Sequence, residues 1–232
     1  MSIQVTWHGH ANFQIQSKDV NILIDPFFTG NPKASCTSAD IDKVDLILVT
    51  HTHGDHVGDA VSISKNTGAL VAGVVGGVEY LVNNQGLPVE NLLNGGGFNI
   101  GGSIEFKGVT ITMTQAFHTT DAGSPVGYIL QFPEGYTVYH AGDTGIFNTM
   151  QIWGELYSID LALLPAGGYY TMDQRQAALA AKLLNAQNVV PMHWGTFPVL
   201  SQDMKILQEE LMQVAPSCKA IIMQPGETRS FG

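Results

Sequence analysis

The chain has 232 residues, a formal net charge of -10 and 44% hydrophobic residues. That length suits one globular domain over residues 1–232 with a full hydrophobic core. Ten Lys and Arg against twenty Asp and Glu leave no basic stripe, which disfavours nucleic acid and anionic membrane surfaces as partners.

In chain order, "IQVTWH", "NFQIQS" and "VNILID" predict an opening meander of strands. Residues 44–49, "VDLILV", predict a strand buried on both faces. A helix is expected over residues 55–65, stopping before Gly68, and another over 77–84, ending before Gly86. The run "NGGGFNIGG" (94–102) has no GK[ST] and no helix after it, so it reads as a plain glycine-rich loop, not a phosphate cradle. Further strands follow in "GVTITMTQA", "VGYILQF", "YTVYHA", "DLALLP", "NVVPM" and "KAIIM". Strong helix formers predict a helix over 173–186, and Ser201 and Pro216 bracket one over 201–214. Strands first, then mixed strands and helices, predict sheets with helices outside them. No apolar run reaches bilayer-spanning length, and "MSIQVTWHGH" lacks the regions of a secretory signal. Cys36 and Cys218, far apart and outside any CxxC pattern, read as free thiols, which fits a cytoplasmic location.

The run "THTHGDHVGD" (50–59) crowds three of the eight histidines together, with Asp55 among them. Protonated imidazoles repel one another, and a divalent cation removes that cost by taking the place of the protons. His51 and His53, two apart in extended chain, point the same way and can converge on one ion. Gly54 permits a sharp turn, after which Asp55 and His56 at a helix start can face a second ion. A solvated histidine-rich turn is the competing reading. Single candidates follow other strands: His118 after "TITMTQAF", Asp143 after "YTVYHAG" and His193 after "NVVPM". Each alone suits a structural role; with the hexapeptide "HTHGDH" (51–56) they form a set of five histidines and two aspartates at strand ends.

That order, HxHxDH, then His, then Asp in "GDTG", then a late His, resembles the metallo-β-lactamase superfamily. "GHANF", "ILIDP", "HAGDTG" and "MHWGTFP" resemble its lactonase-like branch, which includes ascorbate-phosphate lactonases and a group known as metal-dependent hydrolases. The resemblance runs the length of the chain. It implies a four-layered αββα sandwich, with His51, His53 and His118 on one metal, Asp55, His56 and His193 on a second, and Asp143 bridging them. It also implies a homo-oligomer.

Two such ions, less two aspartates and a bridging hydroxide, leave the pocket roughly +1. Metal-bound water ionises near pH 7, so hydroxide attack on an ester-like bond is the expected reaction, with a lactone the foremost small-molecule substrate. A phosphodiesterase acting on a small phosphodiester or phospholipid is a second reading, for which Arg175 is the nearest basic candidate. A non-catalytic metal sensor is a third. Zinc is favoured, with manganese, iron or nickel open. Asp55 is expected to orient the hydroxide or shuttle a proton, and His10 to line the pocket and touch substrate; each is a catalytic candidate. Asp25 is expected to hold a ligand histidine's other nitrogen. His8 and His140 are open between buried and functional roles. Trp194, Phe197 and residues 169–172 are candidates for shaping the pocket.

Overall fold

The computed structural model describes residues 2–232. Its elements in order are β1 (Ile3–Gly9), β2 (Asn12–Gln16), β3 (Asn21–Ile24), β4 (Leu46–Leu48), α1 (Gly54–Val57), α2 (Ala60–Thr67), β5 (Leu70–Ala72) and α3 (Val75–Gln85). Then come β6 (Ser103–Phe106), β7 (Val109–Gln115), β8 (Val126–Gln131), β9 (Thr137–His140), α4 (Thr149–Leu156) and β10 (Leu161–Pro165). The chain closes with α5 (Gln174–Leu183), β11 (Asn188–Met192), α6 (Lys205–Val214), β12 (Lys219–Ala220) and β13 (Thr228–Phe231).

Two sheets form, ordered β13-β1-β2-β3-β4-β5 and β12-β11-β10-β9-β8-β7-β6. Side-chain alternation along each strand then sorts residues into layers. Ile22, Ile24, Leu46 and Leu48 face the second sheet and pack with Val109, Ile111, Tyr128, Leu161 and Leu163 in a core between the sheets. Their neighbours Leu23, Ile47 and Val49 point outward, against Ala60, Ile63, Val78 and Leu81 of the helices on that side. On the far side Tyr139, Ala162, Leu164 and Val189 meet the helices through Met150, Ala177, Ala181, Leu207 and Leu211. Each Val, Leu, Ile or Met side chain among them contributes about 1.5–3 kcal/mol on removal from water. The result is the αββα sandwich, and the central strands read as unbroken apolar runs because both faces are covered.

Several boundaries differ from those read off the sequence. The helix expected over 55–65 is broken into α1 and α2 at Gly58, whose φ is +44° and whose missing Cβ would strike the Pro26 carbonyl. Asp173 is the N-cap of α5, accepting from the Gln176 amide. Helix α6 begins at Lys205 instead of Ser201, with the Asp203 carboxylate accepting the Lys205 amide. Residues 94–102 form no helix-opening cradle; Gly97 packs against the Val75 backbone, where a Cβ would not fit. Strands β3, β4 and β5 are parallel, as are β9, β10, β11 and β12. Strand β7 runs with β9, since β8 is antiparallel to both.

Candidate metal centre

The loops leaving the C-terminal ends of β4, β7, β9 and β11, with helix α1 just after the first of them, carry all seven expected donors. Three overlapping groups result: His51, His53 and His118; His51, His56 and Asp143; and His10, Asp55, His56 and His193. Within each group one donor atom per residue lies within 4.8 Å of every other. Asp143 sits between the other groups, its Oδ2 being 3.0 Å from His193 Nε2, 3.4 Å from His56 Nε2 and 3.6 Å from His118 Nε2. His51 Nε2 lies 3.0 Å from His53 Nδ1.

The surroundings fix which ring nitrogens are free. Asp25 is fully buried, and its carboxylate accepts the Thr50 amide at 2.8 Å, the Thr50 hydroxyl at 2.6 Å and His56 Nδ1–H at 2.7 Å. With its proton given to Asp25, the Thr50 hydroxyl accepts His51 Nδ1–H at 3.0 Å. Both histidines therefore have Nδ1 engaged and Nε2 left for ligation, which is the tautomer that metal binding requires. His56 Nε2 and Asp143 Oδ1 are buried without a hydrogen-bond partner. Orphaned donors of this kind fit a divalent cation, with imidazole and carboxylate as its chemistry.

Charge follows the same geometry. Burial opposes a charge on His56, but Asp143 and Asp25 outweigh it and hold the imidazole well above its usual range. Burial likewise works against the Asp143 carboxylate, yet His56 and His193 keep it well below the usual range. Burial, then neighbouring His56, pushes His51 down to about 2.

His10 is 0% exposed and so does not line an open pocket as expected. Its Nε2–H donates to Asp55 Oδ2 at 3.1 Å, and its Nδ1 accepts the Thr196 hydroxyl at 2.9 Å. Burial and then His193 lower it to about 4, so it is a neutral donor at pH 7. Burial would raise Asp55, but the His10 hydrogen bond and His56 win, leaving the carboxyl below its usual range. Asp55 is the part-exposed member, with 29% of its side chain accessible. His10, Asp25 and His193 all have positive φ, at 57°, 48° and 55°. Non-glycine residues hold that strained conformation where surrounding contacts over-determine it; here the His193 amide donates to the His10 carbonyl at 3.0 Å.

Other candidates resolve into structural roles. His140 donates Nε2–H to the Ala11 carbonyl and accepts the Gly142 amide at Nδ1, so neither nitrogen is free. It shapes the turn into Asp143, where Gly142 has φ +62° and no room for a Cβ. His8 bonds Ser35 and Gln14. Arg175 pairs with Glu210 at 3.0 Å and is no phosphate clamp. Trp194 stacks on Trp7, and Met172 is fully buried. Sequence reasoning missed Thr50, Thr196, and the pair Thr52 and Thr120, whose hydroxyls lie 2.9 Å apart and fasten the His118 loop to the hexapeptide. Threonine is common at strand ends, and no spacing marks these four positions.

Fold and site together define the class, and comparison with known proteins narrows it. The family model described as "Beta-lactamase superfamily domain" matches residues 20–194. A UPF0173 metal-dependent hydrolase of Nitratidesulfovibrio vulgaris (strain DP4) is 59% identical over 98% of this chain and 95% of its own length. Another, from Lawsonia intracellularis, is 52% identical over the whole of both chains. Igni18, described as a novel metallo hydrolase from the hyperthermophilic archaeon Ignicoccus hospitalis, superposes with a TM-score of 0.87 at 39% identity, covering 100% of this chain and 99% of that one. The chain belongs to the metallo-β-lactamase superfamily, within its UPF0173 group of metal-dependent hydrolases.

Proposed function

We propose that this metal-dependent hydrolase works with two divalent ions, zinc foremost, and cleaves a small-molecule ester-like bond, in the first place a lactone. The observation that carries this reading is the placement of Asp143 between two donor groups, its Oδ1 buried and unpartnered. His51, His53 and His118 would hold one ion, Asp55, His56 and His193 the other, and Asp143 both. When bound, such a pair supplies hydroxide at neutral pH and positive charge for a developing oxyanion.

The remaining work falls to the chain. Asp55, ionised and part-exposed, would orient the attacking water or relay a proton to the leaving oxygen. His10 holds that carboxylate in one rotamer by its Nε2–H, and Thr196 holds His10. His10 is thus a positioning residue. No serine or cysteine nucleophile is needed, and the free thiols Cys36 and Cys218 lie outside all three donor groups. Those thiols support a reducing, cytoplasmic setting. No helix among the described residues is long and apolar enough to cross a membrane. The test is elemental analysis of the loaded protein, followed by turnover of a panel of lactones, esters, amides and phosphodiesters. Two ions per chain with lactone turnover is the expected result; a fully loaded protein inert on the whole panel would sink the substrate assignment.

A further inference from the structure

The metal centre is ringed by segments 25–31, 51–59, 116–125, 141–148, 166–173 and 193–204. None contains a lysine or an arginine. Of the basic residues near these segments, Arg175 pairs with Glu210, and Lys33 lines a cavity with Trp7 and Trp194 to which no donor histidine contributes. An enzyme that grips a phosphate or carboxylate away from the reacting bond uses an Arg or Lys clamp. In a chain of net charge -10, nothing on these segments supplies one.

The same segments carry the exposed aromatic surface. Phe117, Tyr169 and Tyr170 are 63%, 76% and 55% accessible, and they are the only exposed aromatic side chains among the described residues. Both aromatic loops are fastened to Thr144, the residue after Asp143. The Phe117 amide donates to Thr144 Oγ1 at 2.9 Å, and the Met172 amide donates to the Thr144 carbonyl at 3.1 Å. Tyr169 is held at φ 59° by a turn in which the Gly168 amide donates to the Met172 carbonyl and the Tyr170 amide to Gly168. Its ring meets that of Tyr170 edge-on, with centroids 4.7 Å apart. Phe117 precedes His118 directly and lies 5.2 Å from the Phe147 ring. Three aromatic rings left in water, one of them on a positive-φ backbone, sit on two loops moored to the residue after Asp143 and offer flat surface to a ligand.

We infer that the substrate is an uncharged ester or lactone bearing an aryl or similarly flat apolar group, which Phe117, Tyr169 and Tyr170 receive, and is not a phosphate ester. This rests on the hydrolytic reading above. In the reaction, water's oxygen bonds to the acyl carbon and the acyl C–O bond breaks. One proton of that water ends on the released alkoxide and the other leaves as the product acid ionises, with no change of oxidation state.

The test compares dihydrocoumarin, γ-butyrolactone and bis(4-nitrophenyl) phosphate on the metal-loaded protein, with Phe117→Ala and Tyr170→Ala variants of confirmed metal content. The wild type should rank them in that order by kcat/KM. Each variant should lose about 10-fold or more for dihydrocoumarin relative to γ-butyrolactone, carried by KM. Preference for the phosphodiester, or an unchanged aryl-to-alkyl ratio in both variants, overturns the inference and leaves the hydrolase standing. So does a variant that turns a stable oligomer into monomers without moving that ratio, since the rings then serve contact between copies. If no substrate turns over, the proposed reaction fails, and titration with 4-chromanone, which keeps the fused ring without the ester bond, decides recognition separately. Weaker binding in the variants supports the aryl site; absent or unaltered binding refutes it.

Discussion

The group His10, Asp55, His56 and His193 and the group His51, His53 and His118 share one edge of the sandwich, yet they are held differently. In the former, His10 and His56 are wholly buried, His56 is fixed by Asp25, Asp55 by His10, and His10 by Thr196. In the latter only His51 is braced, by Thr50. His53 and His118 are part-exposed, and the His118 ring makes no hydrogen bond among the described residues. At the braced end His56 and Asp55 have their orientations set before an ion arrives, while His193 Nδ1 is buried without a partner. The open end relies on the ion to order its rings, so its ion should exchange faster and leave first.

The harshest way to break the comparison is to remove what both ends share. Asp143→Ala should abolish binding at both, with metal content falling from two ions per chain towards none and turnover dropping on the order of 10²- to 10³-fold or more. Elemental analysis showing one ion retained at full occupancy would mean that Asp143 serves one end only.

Acid should expose the cost of burying so many histidines. Burial lowers His8, His51, His118 and His140 as well as His10, the last of these to about 4. Below their ordinary value of 6.5 the unfolded chain takes up protons that the folded chain refuses, so stability falls with pH across the window from 6.5 to about 4. His56 has the opposite sign: raised in the fold, its contribution is full below 6.5 and fades as pH climbs through its folded value. Five groups oppose one, so the chelated protein should melt at progressively lower temperature as pH drops from 6.5 to 4. It should still melt cooperatively, since three apolar clusters hold the fold without an ion. Calorimetry showing a flat or rising melting temperature over that window would contradict this account of the site.

Asp25→Asn separates the ends more gently. It weakens the acceptor for His56 Nδ1–H, and loss of such a partner commonly costs 10- to 100-fold in metal affinity. The loss should fall mainly on the braced end; an equal loss at both would show that Thr50 transmits Asp25 to His51 just as strongly. Smaller still, Thr196→Val should leave both ions bound and lower kcat a few-fold with KM unmoved, because it frees His10 to tilt away from Asp55. His10→Ala should follow the same pattern more strongly, roughly 10²-fold. If either variant loses metal, His10 is supporting a ligand shell instead of a proton path.

Much of this was readable because metal donors are chemically rare and the hexapeptide concentrates four of them. His118, Asp143 and His193 were found because each follows an apolar run, and strands in a layered sandwich end on common edges. Asp25 was legible as a partner because "LIDP" puts a carboxylate at a strand end. What escaped was orientation. Nothing in the spacing of His10 and His8 says that one turns inward to Asp55 while the other bonds Ser35 and Gln14. Thr50 and Thr196 act through single hydroxyls whose reach depends on chain segments 25 and 186 residues away. The break at Gly58 was hidden because residues 55–65 have helical composition, and only the Pro26 carbonyl forces the kink.

The central claim is that one centre holds two ions through a shared Asp143, with unequal grip. A chelator titration of zinc-loaded protein, with metal content and activity read at each step, tests it most directly. The account predicts two ions per chain at the start and biphasic release, the first ion leaving at lower chelator concentration, with His118→Ala erasing that early phase and His193→Ala the late one. A single ion per chain, or one phase that both variants weaken equally, would contradict it.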